Sequence, residues 1–297
     1  MTIIAHSKRH HALLTLLFLA TLAGCATHST QNKPAATASM PAPQTGFIGG
    51  YLPTTALPDS LTLLPPPPAA GSAALALDEE IARKSVALRG TPRWTLATAD
   101  AEYRFPQAAE AFTCSLNAPI TQQDTPRLYT LLQRTASDAS ASTSAAKNNY
   151  KRARPFVVNK QPTCTPDDEK FLMNNGSYPS GHAAFGWAWS LVLSEIAPEQ
   201  ANAIIARGRA FSESRNVCNV HWRSDVVEGR FMATAVVAVL HADPTFRADL
   251  EAAKAEVAAA HAKGLKPTRD CAEEAAQLNY QAPAPPPIAP SGNTVRF

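Results

Sequence analysis

Almost nothing in this sequence alternates with a period of two, the pattern of a half-buried strand. That absence points away from β-structure and toward an all-α fold. No apolar run reaches the roughly 20 residues that a bilayer-crossing helix needs. The nearest are residues 12–23, and residues 231–240, which follow Glu228 and Arg230. No two cysteines are spaced Cys-x-x-Cys, which argues against a thiolate metal site. Charge of one sign is also missing. The 27 basic residues, less Lys8 and Arg9 of a removable leader, leave 25 against 24 acidic. A nearly neutral chain offers no field for a polyanion, so nucleic acid is excluded as a partner and any anion site must be a local cluster. No internal repeat is apparent, and the 297 residues suit one large domain or two small ones.

The first residues read as an export signal: basic Lys8 and Arg9, then the apolar stretch 12–23. The leader, residues 1–24, ends Leu22-Ala-Gly-Cys25, which resembles the bacterial lipobox. The resemblance implies lipidation of Cys25, membrane attachment through that lipid alone, and, with Ala26 rather than Asp next, the outer membrane. An ordinary cleaved signal with Cys25 incidental is the alternative. Residues 25–46 are rich in Ala, Thr, Ser and Pro and read as a flexible tether, with order expected from about Phe47.

Helical signals fill residues 47–265. Four consecutive prolines, Pro65 to Pro68, read as a polyproline segment along a surface. Helices are expected after Ser72, after Thr91-Pro92 and after Asp124-Thr125-Pro126. Residues 137–146 read as a weak helix or loop, and helix resumes near Lys147 until Pro155. Residues 161–177 read as a loop. Ser180 caps a helix apolar nearly all round, carrying Trp187 and Trp189 and expected at the centre of the molecule. Pro198 starts the next helix, Ser224 caps another, and Asp243-Pro244 opens the last. Residues 266–297 are assigned to a C-terminal extension, largely disordered.

Three clusters carry chemistry. In Ser214-Arg-Asn-Val-Cys-Asn-Val-His-Trp-Arg-Ser-Asp225, His221 and Asp225 lie four apart and share a face if on one helical turn. The Asp then holds one ring nitrogen and frees the other to attack, while Arg215 supplies a planar cationic fork for an oxyanion. Pro179-Ser180-Gly181-His182 places a hydroxyl, a backbone N–H and an imidazole at a helix N-terminus, an anion site. Lys147 and Arg154 are seven apart, two turns of one helix face. Alone, the second cluster is equally well a capped helix with a half-buried His, and the third a solvated basic face. His241 and His261 read as surface or packing residues, Trp187 and Trp189 as core, and Trp222 as a residue that borders the pocket.

In order, Lys147-x6-Arg154-Pro155, Pro179-Ser180-Gly181-His182 and Ser214-Arg215-x5-His221-x3-Asp225 resemble the three-part signature of the type 2 phosphatidic acid phosphatase (PAP2) and vanadium haloperoxidase superfamily. Within it the strings Leu57-Pro-Asp-Ser-Leu61, Leu63-Leu-Pro-Pro-Pro-Pro68, Gly90-Thr-Pro-Arg-Trp94 and Gly176-Ser-Tyr-Pro-Ser-Gly-His182 resemble the class A bacterial non-specific acid phosphatases. Ala183 departs from the Thr common after that His. The resemblance spans about residues 47–263. It implies a compact multi-helix bundle of the PAP2/haloperoxidase type, an exported acid phosphatase acting on small phosphomonoesters, inorganic phosphate as product, and a homo-oligomer. It implies a phosphohistidine at His221, orientation by Asp225, proton transfer by His182, and phosphate held by Lys147, Arg154, Arg215, Ser180 and Gly181. Transfer of the phosphoryl group to alcohols is a possible side activity. No metal or cofactor is expected, and vanadate should inhibit. The rival readings are a vanadium-dependent haloperoxidase, a lipid phosphate phosphatase, and a non-catalytic surface lipoprotein.

With Cys25 set aside, Cys114, Cys164, Cys218 and Cys271 remain, and in an oxidising compartment four cysteines pair in three ways. The pairing Cys164–Cys218 is preferred because both flank the site, which leaves Cys114–Cys271. Four buried free thiols are the alternative.

Overall fold

The structure, a computed structural model, describes residues 48–280. The leader, Cys25, the tether, Phe47 and the tail from residue 281 lie outside the described residues. Within them are helices and turns and no strand. The helices are α1 (Ser60–Leu63), α2 (Ala73–Val86), α3 (Pro92–Asp100), α4 (Thr113–Leu116), α5 (Pro126–Ser142), α6 (Ser144–Tyr150) and α7 (Pro155–Asn159). They continue with α8 (Glu169–Met173), α9 (Gly181–Ile196), α10 (Ala201–Val217), α11 (Arg223–Leu240), α12 (Pro244–Ala262) and α13 (Cys271–Leu278).

Local chemistry sets many of the starts. The hydroxyl of Ser72 accepts from the Leu75 N–H, Thr91 from Trp94 with Pro92 following, and the Asp243 carboxylate from Phe246 with Pro244 following. Each satisfies an orphan donor of the first turn, and the proline, lacking an N–H, leaves none unpaired there. The polyproline stretch is held by Tyr178, whose hydroxyl donates to the Pro65 carbonyl at 2.7 Å.

α9 is the hub. It packs against α5, α10, α11 and α12, and is apolar on most of its circumference because helices cover it on most sides. Trp189 is fully buried and donates its indole N–H to the Leu132 carbonyl of α5 at 2.8 Å. Around it Phe105, Phe112, Phe185 and Phe211 meet in tilted and edge contacts. No helix of the described residues is long and apolar enough to cross a membrane.

The structure differs from the sequence reading in several places. Of the two readings of residues 137–146 the helix holds and the loop does not: α5 runs to Ser142 and α6 begins at Ser144. Their small side chains let Ala139 and Ala146 bury completely, and the Asp138 carboxylate accepts the N–H groups of Tyr51 and Leu52. The helix at Lys147 stops at Tyr150 rather than at Pro155, with Lys151 at a positive φ of 44°. The 161–177 loop contains a 3-10 turn, Pro166–Asp168, and α8. Ser224 does not cap α11. Trp222 is the capping residue, and the hydroxyl of Ser224 donates to Asp78 instead. The segment after 265 carries α13, so the ordered part extends past the expected boundary. Both preferred disulfides, Cys114–Cys271 and Cys164–Cys218, are present.

Candidate active site

The C-terminus of α10, the turn before α11, the N-terminus of α9, α6 and the residue before α7 meet around one cavity of about 310 Å³. Lys147, Arg154, Gly181, His182, Arg215 and His221 line it, with Tyr103, Asp168, Phe171 and Thr143. Three clusters separated by more than twenty residues each therefore open onto the same space.

His221 does not sit on a helical turn with Asp225, as the four-residue spacing suggests. It lies in the turn before α11, and Asp225 is at the third helical position. The turn folds back because the N–H groups of Val220 and His221 both donate to the Arg215 carbonyl at 3.2 Å, with Asn219 in the left-handed region. Asp225 then reaches backward. Its Oδ2 accepts the Trp222 N–H at 2.8 Å and stands 3.3 Å from His221 Nδ1. Arg152 donates to Asp225 Oδ1 at 2.6 Å and to Asp78 at 2.8 Å, and Asp78 holds the Ser224 N–H. Burial pushes the Asp225 carboxyl up, opposed by Arg152 and the Trp222 N–H.

The tautomer of His221 follows from its neighbours. Arg154 Nη1 stands 2.9 Å from His221 Nε2. A guanidinium has only donors, so Nε2 is the acceptor and the ring proton is on Nδ1, facing Asp225. Burial, then Arg154, Lys147 and Arg215, hold the imidazole well below its usual range. A neutral ring with its Nε2 lone pair toward the cavity is the form a nucleophile needs.

His182 is fixed in the opposite sense. Its Nε2 is 2.7 Å from the Asp100 main-chain carbonyl, which only accepts. Nε2 therefore keeps its proton and Nδ1 is the nitrogen that titrates. The ring stacks on Phe211 at 4.8 Å and touches Phe185. Burial, then Arg215, push this imidazole well below its usual range.

The cations crowd one another. Arg154 is anchored by the Leu172, Asn175 and Val220 carbonyls, and Lys147 by Gly176. Burial and Arg215 push Arg154 down to about 9, and burial pushes Arg215 down to about 10, so both stay charged at neutrality. Burial and Arg154 push Lys147 well below its usual range. Two guanidinium nitrogens of Arg215, Nε and Nη1, are buried with no hydrogen-bond partner among the described residues. Buried donors of this kind normally have a partner, and an oxyanion bound in the cavity that Arg215 lines would supply one.

Two of the expected site residues stand behind the wall. Asp225 touches His221 from outside the cavity, and Ser180 accepts the Ala183 N–H as the cap of α9. Trp222 is buried and is absent from the lining. Its indole donates to the Ala153 carbonyl at 2.8 Å. The sequence reading missed Asp100, which holds His182, Arg152, which holds Asp225, and Asp78, which holds Arg152, and also Tyr103 and Phe171 at the cavity wall. Arg152, inside the basic cluster, had a visible signal. The others lie in stretches that spacing does not distinguish. No group of three or more His, Cys, Asp or Glu among the described residues is arranged to hold a metal ion.

Two imidazoles of fixed and opposite tautomer, with a lysine and two arginines, in an all-α frame, define a site built around one tetrahedral oxyanion. The family described as the PAP2 superfamily matches residues 128–248. A non-specific acid phosphatase of Providencia stuartii is 43% identical over 209 residues, 70% of this chain and 84% of that protein. An acid phosphatase of Zymomonas mobilis is 39% identical over 209 residues, covering 70% and 79%. A non-specific acid phosphatase of Salmonella typhimurium is 40% identical over 195 residues, covering 65% and 78%. The chain belongs to the PAP2 superfamily.

Proposed function

We propose that this protein is an acid phosphatase that hydrolyses small phosphate monoesters with broad specificity through a phosphohistidine. The observation that carries the reading is the neutral His221, backed by Asp225 and presenting Nε2 to a cavity ringed by Lys147, Arg154 and Arg215.

His221 Nε2 attacks phosphorus. The N–H of Arg154 that now meets Nε2 turns to a phosphoryl oxygen, joined by Arg215, Lys147 and the Gly181 N–H. As the P–O bond breaks, His182 Nδ1 passes its proton to the leaving alkoxide. A water molecule, deprotonated by the same nitrogen, then attacks phosphorus, and inorganic phosphate and His221 are released. An alcohol in place of water gives phosphotransfer. Phosphoryl transfer depends mostly on positioning and charge stabilisation, which these cations supply without a bound metal. The phosphate dianion brings opposite charge to His182 and draws its depressed pKa back up.

The reading extends to the cell. The N-terminal leader and Cys25 make it an exported lipoprotein on the outer membrane, and it works as a homo-oligomer.

The test is a p-nitrophenyl phosphate assay across pH on the purified protein. Turnover should peak in mildly acidic solution, survive EDTA, and fall on adding vanadate, which mimics trigonal-bipyramidal phosphorus. Activity lost to EDTA and restored by a divalent ion contradicts the mechanism, as does halide oxidation in vanadate without phosphate release.

A further inference from the structure

We infer that Glu274, on the C-terminal helix α13, is a positioning residue for His182, acting through Arg207 and Asp100. The inference rests on His182 being the proton donor.

Asp100 is the last residue of α3, so its carbonyl has no partner within the helix. That carbonyl is what fixes the His182 ring. The Asp100 carboxylate is buried and meets both terminal nitrogens of Arg207 and the Ser214 hydroxyl, the latter at 2.6 Å. Arg207 is buried in turn, and Glu274 Oε1 stands 3.3 Å from its Nε. Arg269 meets the other Glu274 oxygen at 3.3 Å. A continuous buried chain therefore runs from α13 to the imidazole, 92 positions away in sequence.

Charge explains why Glu274 matters. Arg93 donates to Ser214 at 3.0 Å, so two guanidiniums approach the Asp100 corner. Burial opposes the charge on Arg207, and Asp100 and Glu274 outweigh it. Without Glu274, the Arg207 charge is balanced by Asp100 alone, and α13 loses the ion pair that holds it beside the end of α3. α13 packs directly against α3 and is tied to α4 by Cys114–Cys271. A shift of about 1 Å in a proton donor is enough to cost up to a hundredfold in rate.

The test separates positioning of the donor from general support of the fold. An alkoxide needs a proton to leave, whereas p-nitrophenolate does not. kcat/KM is measured for glycerol phosphate and for p-nitrophenyl phosphate in wild type, Glu274→Gln, Cys114→Ser/Cys271→Ser and His182→Asn. His182→Asn should lower the alkyl substrate at least tenfold more than the aryl one. Glu274→Gln should show the same selective loss, about tenfold, with the aryl rate within threefold of wild type. The double cysteine variant, which frees α13 from α4 and so holds Glu274 less firmly against Arg207, should move the same way and serves if Glu274→Gln does not fold. If His182→Asn is selective but Glu274→Gln and the cysteine variant lower both substrates equally or neither, the inference is wrong. If His182→Asn is itself unselective, the assignment of His182 as donor fails and takes the inference with it.

Discussion

His221 and His182 are the same side chain in opposite settings. One accepts from a guanidinium at Nε2 and gives its Nδ1 proton to a carboxylate; the other gives its Nε2 proton to a carbonyl. The pH dependence follows. His221 must be neutral, and because burial and three cations depress it, the acid limb of the rate profile lies below the usual His range of about 6.5. His182 must be protonated, and bound phosphate favours that form. The alkaline limb of kcat, which reports the complex, should therefore sit at higher pH than that of kcat/KM, which reports the free protein. Coincident limbs in a titration of both constants would count against the pairing. Arg215→Ala removes two donors, Nε and Nη1, that have no partner among the described residues, and kcat should fall about 10²–10³-fold. Arg152→Ala strands Asp225 and Asp78 as buried carboxylates and should cost about 3–5 kcal/mol in chemical denaturation as well as activity. The imidazoles and cations that line the cavity, and Asp225 behind them, were legible in the sequence because imidazole, carboxylate and guanidinium at those spacings have few other uses together. Asp100 was not, since the hydrogen bond of its main-chain carbonyl leaves no trace in side-chain type.

The helices place these groups by their ends. α9 and α11 contribute through their N-termini and α10 through its C-terminal turn. The anchor between them is close backbone contact: the Ser180 N–H donates to the Asp225 carbonyl at 2.9 Å. Gly229 of α11 lies against the same turn, where an added methyl group would run into the Ser180 carbonyl. Gly229→Ala should therefore destabilise by about 1–3 kcal/mol in denaturant melts and weaken phosphate affinity, since the Gly181 N–H must move with Ser180. Unchanged phosphate affinity would show that the turn is not held this way. The helix starts at Ser72, Thr91, Ser180 and Asp243 were readable because the capping chemistry is local. The break after Tyr150, the short α8 and the continuation of α5 through residues 137–142 were not. Their cause is tertiary: Lys151 turns so that Arg152 and Arg154 face different partners, and Ala139 and Ser142 gain burial that local propensity does not count.

On the scale of the whole molecule, packing both imidazoles among cations has a cost that depends on pH. Both are depressed in the folded protein, so between their folded values and about 6.5 the unfolded chain binds more protons. Their contribution is fully present above about 6.5 and is lost as pH falls. The thermal midpoint should drop as pH is lowered from 7 to 5, and inorganic phosphate, binding only the folded form, should raise it and flatten that slope. A midpoint that phosphate leaves unmoved would contradict the cationic cavity. The central claim, a covalent phosphoryl group on His221, is tested most directly by mass spectrometry of enzyme quenched in alkali during turnover, because phosphohistidine survives base. One phosphoryl group is expected on His221 in wild type and none in His221→Ala. A phosphoryl group on His182, or steady turnover by His221→Ala, would contradict it.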